Sequence, residues 1–267
     1  MMKYFLDGNN YGLAIKKRFS GKKYRHFFVV NALCDINFLQ GQTYIFPLYL
    51  DGDNNGSNPF SSRQQSFVEP YQPNLSSVIG GRKTNISNKF LSHLKNVYGE
   101  SLNPEDIFAY VYSVLNSNLY GSKYLNQLAN DFPRIPFTSN YDLFKSLAKR
   151  GKELISLHLL KSEFLDNPVA KFYGKNSELV KSKAIYKEGK LYINDSQYFE
   201  KVEKEVWEFQ VGGYQVLDKW FKDRISKHLD ENNIRIVCKI ITAITKTFEI
   251  QKQIDSLYPE VEKGFDN

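Results

Sequence analysis

Residues 191–224, LYINDSQYFEKVEKEVWEFQVGGYQVLDKWFKDR, decide how this chain is read. Trp207, Phe209 and Val211 alternate, which is the period-2 signal of a strand. Gly212-Gly213 interrupts that pattern as a hinge. Tyr214, Leu217, Phe221 and Ile225 then recur at helical spacing, which predicts a helix over residues 213–228. A strand, a glycine break and an amphipathic helix inside one window mark an architecture that mixes α and β elements.

Beyond this window, residues 231–257 read as a final helix. Upstream, Ala184 to Ile193 reads as a β-hairpin turning at Glu188-Gly189, and residues 166–182 as a loop. Residues 103–165 are helical in pattern. Asn103-Pro104-Glu105 places a cap before a proline in the first turn. Phe132-Pro133-Arg134-Ile135-Pro136 breaks the helices. Ser139 or Asn140 caps the next one, which runs through Leu143, Leu147, Leu154 and Leu157. Residues 88–98 read as a short helix. Residues 51–88 are polar and rich in Gly, Asn, Ser and Pro, the composition of long loops, which compact domains rarely carry without a use for them. Residues 11–50 read as β, with aromatic and β-branched runs at Phe27 to Val30 and Tyr44 to Leu50. Ser20-Gly21-Lys22-Lys23 is an exposed basic turn between strands. The expected fold is α+β: a β-rich part over residues 1–100 with long loops, then a mainly helical scaffold over 101–267 with a β-hairpin near 184–193.

Composition excludes several classes. The chain has 267 residues, 42% hydrophobic and 24% charged, as an ordinary globular protein does. No run approaches the ~18 apolar residues of a membrane span. The segment MMKYFLDGNN lacks the apolar centre of an export signal, so no export is expected. Cys34 and Cys238 form no zinc or disulfide spacing, which fits a reducing cytoplasm. The net charge of +7 is unevenly spread. Residues 1–100 hold 12 Lys and Arg against 6 Asp and Glu, whereas the rest of the chain is nearly balanced at 24 against 23. A basic patch confined to one part is the electrostatic footprint of a nucleic-acid binder, or a solvated cationic surface.

The block from Leu191 to Arg224 resembles the C-terminal target-recognition region of Type ISP restriction–modification enzymes and related N6-adenine DNA methyltransferases. Further segments carry the same resemblance in the same order. Near the start these are NNYGLAIKKRF, YRHFFVVNALCDINFL and IFPLYL at residues 45–50. Later come DIFAYVYSVLN at 106–116 and DFPRIPF at 131–137. Residues 51–100 and the tail after Tyr258 are covered least. The resemblance implies a sequence-specific DNA-recognition module of a bacterial restriction–modification system. Such a module is non-catalytic by itself and carries no cofactor and no metal. The implied partners are double-stranded DNA and an adenine-methyltransferase core, with helicase and nuclease domains in the full enzymes, and no membrane.

Candidate residues follow from charge and from chemistry. Lys16, Lys17, Arg18, Lys22, Lys23 and Arg25 flank a strand turn, and such cations neutralise phosphates with a salt-dependent affinity. Arg18 matches the Arg that follows the first strand in the family. Arg63, Gln64 and Gln65 have the groups that read guanine and adenine edges in the major groove, and Arg82, Lys83 and Asn85 form a second such loop. Gly212-Gly213-Tyr214-Gln215 matches the family. Gly213 and Tyr214 would either hold a phosphate at the N-terminus of a helix or allow Trp207 and Trp220 to pack closely.

Other chemistries are poorly served. Asn58-Pro59-Phe60 lacks the second proline of a base-holding methyltransferase motif and reads as a turn. Asp51 to Gly56 mimics the opening of a calcium loop, but Ser62 stands where a bidentate Glu belongs. Glu188-Gly189-Lys190 lacks the strand Asp of a nuclease. His26, His93, His158 and His228 have no metal spacing and read as surface or half-buried residues. The alternatives are a methyltransferase or nuclease remnant that retains catalysis, and a basic module that meets RNA or an acidic protein.

Overall fold

The computed structural model describes residues 2–5, 10–50, 78–79, 82–174 and 179–263. Strands β1 (Gly12–Lys16), β2 (Phe27–Val30) and β3 (Thr43–Pro47) form an antiparallel sheet in the order β2-β1-β3. Leu13 pairs with Val29 and Ile15 with Phe27, so these four point to one face, towards the helices. Ala14 and Val30 point to the other, where Phe5 and Leu39 cover them. Burial on both faces is why the run FFVV is unbroken rather than alternating. A small second sheet orders β4 (Tyr49–Leu50), β6 (Arg82–Thr84) and β5 (Val78–Ile79), with β6 in the middle. Buried Asn10 donates to the Tyr49 carbonyl at 2.8 Å and accepts from its N–H at 3.1 Å, standing in for a neighbouring strand.

Five helices follow: α1 (Asn88–Tyr98), α2 (Pro104–Asn116), α3 (Asn118–Lys123), α4 (Leu125–Asn130) and α5 (Tyr141–His158). Pro104 is the first residue of α2, where its missing N–H costs nothing. Of the two candidate caps for α5, Asn140 is the one used, its Oδ1 accepting from the Leu143 N–H at 3.0 Å. Helix α2 crosses α5 at Gly151. A Cβ there would lie 1.8 Å from the Ala109 carbonyl oxygen, so only glycine permits the approach.

The C-terminal sheet has the order β7-β10-β9-β8: β7 (Lys171–Tyr173), β8 (Ile185–Lys187), β9 (Lys190–Tyr192) and β10 (Tyr198–Glu200). Glu188 and Gly189 have φ of +48° and +78°, the two positive values a type I′ hairpin turn needs. The hairpin thus turns where its sequence indicates. Strand β7, however, lies inside the stretch expected as loop. Among the described residues it pairs only with β10, and three residues carry too short a pattern to announce a strand.

The Leu191–Arg224 block is corrected in detail. Trp207 ends a short helix, α6 (Lys204–Trp207), and the strand begins only at Gln210. Gly212-Gly213 is the tight turn of a hairpin between β11 (Gln210–Val211) and β12 (Tyr214–Gln215) rather than a hinge into a helix. Helix α7 (Val216–Lys222) starts three residues past Gly213 and ends before Ile225, which is exposed. The glycines approach other residues than the tryptophans. A Cβ on Gly212, whose φ is +60°, would meet the Leu39 backbone at 2.9 Å. The Gly212 N–H donates to the Arg25 carbonyl at 2.6 Å. The hairpin is therefore clamped onto the N-terminal part.

Helix α8 (Glu231–Lys263) ties two cores together. Val237, Cys238, Ile241 and Ile244 pack with Leu191, Phe199, Leu217 and Phe221. Further along, Ile250, Ile254, Tyr258 and Val261 join the core under β1, α2 and α5. Among the described residues no helix is long and apolar enough to cross a membrane.

Candidate functional site

The β1–β2 connection, residues 17–26, places basic side chains against α3, α6, the β11–β12 hairpin and α8. Lys16, Lys22, Lys23 and Arg25 line one groove together with Gln40, Gly212, Gly213, Phe209, Gln251 and Lys252. Its volume is about 760 Å³, and Glu205 and Glu208 also line it. Lys22 and Lys23 are exposed. The Lys16 ammonium donates to the Gln40 carbonyl at 2.5 Å. Arg25 is half-buried, its guanidinium 5.2 Å from the centre of the Phe209 ring. Burial lowers the Arg25 pKa, because a guanidinium removed from water is harder to keep charged.

The remaining candidates scatter. Lys17 turns away to Asp131, at 3.5 Å, and over the Phe132 ring. Arg18 is exposed, with no ion pair among the described residues. Lys83 lies half-buried in β6, and Asn85 donates its amide to the Pro47 carbonyl at 3.0 Å. Tyr214 is half-buried in β12 beside Val211. Arg82 is in β6, without a described side chain. Arg63, Gln64 and Gln65 lie outside the described residues, as do the calcium-like loop and Asn58-Pro59-Phe60. Among the described residues, no three His, Cys, Asp or Glu side chains are grouped to hold a metal.

Several groove residues carry no signal of their own in the sequence. Asn118, Gln251 and Lys252 reach it from α3 and α8, and Phe209 reads there only as a strand aromatic. They come from segments far apart in the chain, so no local spacing marks them. Behind the groove, a narrower recess of about 330 Å³ shares Lys22, Lys23, Arg25, Phe209 and Gln251 with it.

At the back of that recess sits His158. The Thr247 hydroxyl donates to the Ala243 carbonyl at 2.7 Å, so it accepts from His158 Nε2, 2.9 Å away. His158 Nδ1 then accepts from the Tyr112 hydroxyl at 2.6 Å. That network holds the ring neutral, and burial brings its pKa down from 6.5 to about 4. His26, stacked on Phe19 and more buried than expected, is shifted to about 4 in the same direction. A depressed histidine pKa means that the unfolded chain binds protons the folded one refuses. Stability from these residues is full above about pH 6.5 and declines as pH falls towards 4. The expected result is a His158 imidazole resonance that stays neutral down to pH ~5. Titration near the unperturbed 6.5 would contradict the burial of the network.

Comparison with known proteins places this geometry. A family model described as the Type ISP C-terminal specificity domain matches residues 1–253. No curated protein matches the sequence. Solved structures share the fold. The ATP-dependent Type ISP restriction-modification enzyme LlaBIII bound to DNA is 20% identical with a TM-score of 0.65, over 92% of this chain and 16% of its own. A nuclease-deletion mutant of the Type ISP enzyme LlaGI, in complex with a DNA substrate mimic, is 18% identical with a TM-score of 0.57, over 92% and 21%. The DrdV–DNA complex is 19% identical with a TM-score of 0.61, over 96% and 25%. The chain thus spans about a quarter or less of the length of these proteins.

Proposed function

Because the chain belongs to the Type ISP C-terminal specificity domain family, we propose that it reads DNA sequence for a restriction–modification system. The observation that carries the reading is the groove where Lys16, Lys22, Lys23 and Arg25 gather. Phosphate contacts from such a groove fix register and supply affinity but carry no sequence information. Reading falls to Arg63, Gln64 and Gln65 and to Arg82, Lys83 and Asn85, with Gly213 and Tyr214 as further contacts. Residues 1–100 face the duplex in this account, and residues 101–267 scaffold them and dock an adenine-methyltransferase core in the same or a separate chain. The motor and nuclease of the longer relatives belong to other domains, and the setting is the bacterial cytoplasm.

Binding of the chain to duplex DNA, a structured RNA and heparin across a salt series tests this reading. Duplex DNA is expected to bind most tightly at every salt concentration. Equal affinity for heparin would reduce the groove to a general polyanion surface, and a preference for RNA would move the module to another class.

Residues 63–65 have their own expected outcome. A bidentate base contact discriminates by about 1–3 kcal/mol, roughly tenfold to a hundredfold per position. Arg63→Ala and Gln64→Ala, in a chain joined to its methyltransferase, should broaden the methylated site at single positions while leaving total methylation nearly intact. Sequencing of methylated sites reads this directly. An unchanged site would take residues 63–65 out of the reading and shift attention to Arg82, Lys83 and Asn85.

A further inference from the structure

We infer that the recess behind the basic groove is a nucleotide site, with a phosphate held by Lys22, Lys23 and Arg25 and a heterocycle lying against Phe209 within reach of Gln251. Three observations meet there. The half-buried Arg25 guanidinium has no carboxylate and no hydrogen-bond acceptor among the described residues, and it lies 5.2 Å from the centre of the Phe209 ring. A cation kept from water without an acceptor is costly, and an anion supplied from outside removes that cost. Of the residues that line the recess, Gln251 Oε1 and Tyr24 Oη have no hydrogen-bond partner, the Tyr24 ring being stacked on Phe27 in the adjoining core. Both residues are 7% exposed, and buried polar groups are rarely left unpaired. Finally, the recess volume of about 330 Å³ falls at the small end of ligand pockets, large enough for one nucleoside phosphate.

The chemistry selects the ligand class. A bare phosphate satisfies Arg25 and leaves the Gln251 amide unpaired. An uncharged aromatic does the reverse. A phosphate joined to a heterocycle answers both, because the ring stacks on an aromatic face and its polar edge meets the amide. Gln251 Oε1 is sealed from water in this structure, so rotation of the Gln251 amide accompanies entry. Two sources share this chemistry: a free nucleotide, and a nucleotide unstacked from bound nucleic acid. The second source rests on the DNA reading above; the first does not.

The test uses the full chain and Gln251→Leu. Leucine fills the same space and removes the unpaired amide, so the variant should melt at or above the wild-type temperature. Calorimetric titration would compare the four deoxynucleoside 5′-monophosphates with inorganic phosphate. A fluorescence assay would compare a paired duplex with one that carries a single unpaired nucleotide. If monophosphates bind about tenfold tighter than phosphate, and Gln251→Leu erases the difference, the site takes free nucleotides. If only the bulged duplex gains, by about tenfold, and Gln251→Leu erases that gain, the site takes a nucleotide from the strand. If neither ligand shows a preference, or if Gln251→Leu leaves the preference intact, the inference is overturned. Salt-dependent binding of the paired duplex would still stand in that case. Its loss with monophosphate binding intact would sink the DNA reading instead.

Discussion

Gly151→Val is expected to leave no folded protein, and Gly151→Ala to lose stability by about 2–4 kcal/mol. Alanine normally favours a helix interior by about 1 kcal/mol over glycine. Here the added methyl would sit 1.8 Å from the Ala109 carbonyl oxygen and 2.5 Å from its carbon. Those atoms belong to the backbone of α2, so no side-chain rotation relieves the clash. The helix must shift, and with it the surroundings of Tyr110 and Tyr112, both fully buried. Tyr112 also carries the link to His158 and sits edge-on to Phe27. A loss of this size is a large share of the ~5–15 kcal/mol that holds a typical domain together. Urea unfolding measures it. A Gly151→Ala protein as stable as the wild type would mean that α2 and α5 cross further apart than described.

Reversing Lys22, Lys23 and Arg25 to Glu should weaken binding to any duplex by about a hundredfold or more at moderate salt, nearly independently of sequence. Removing one phosphate-neutralising cation should flatten the slope of log K against log salt by about 0.9. The two lysines are exposed and have no ion pair among the described residues, so Lys22→Glu with Lys23→Glu leaves packing alone. Arg25 is different. Its guanidinium rests on Phe209 and its carbonyl receives the Gly212 N–H, so Arg25→Glu also disturbs the clamp between the two parts. Comparing the double with the triple substitution separates charge from packing. Affinity and salt slope that stay unchanged in both would place the DNA face elsewhere.

Much of the architecture is legible in the sequence because it rests on local chemistry. The turn at Glu188-Gly189 needs two positive φ values, and Gly189 supplies one without strain. Pro104 and Asn140 mark helix starts through groups that satisfy or dispense with free N–H donors. What misleads is the short range of a real pattern. Trp207, Phe209 and Val211 alternate, yet Trp207 closes a helical turn because Val206 beside it is the residue buried in the second core. Gly212-Gly213 looks like a hinge because the partner that demands glycine, the backbone at Leu39, is more than a hundred residues away. Strand β7 exists only because β10 is next to it.

The site divides in the same way. The cationic turn at residues 22–25 stands out as a run of like charge within the basic first hundred residues. Its inner wall does not, since Phe209, Gln251 and Asn118 come from three distant segments and form no motif until the chain folds. Sequence proximity groups Lys17 with the turn, but strand geometry sends it to Asp131 instead.

The central claim is that this chain reads sequence rather than merely holding DNA. Selection of bound duplexes from a randomised pool, by the chain joined to its methyltransferase, tests it most directly. The account predicts enrichment of one short motif, with each mismatched pair costing about 1–3 kcal/mol. Retention of duplexes with strong salt dependence and no enriched motif would contradict it.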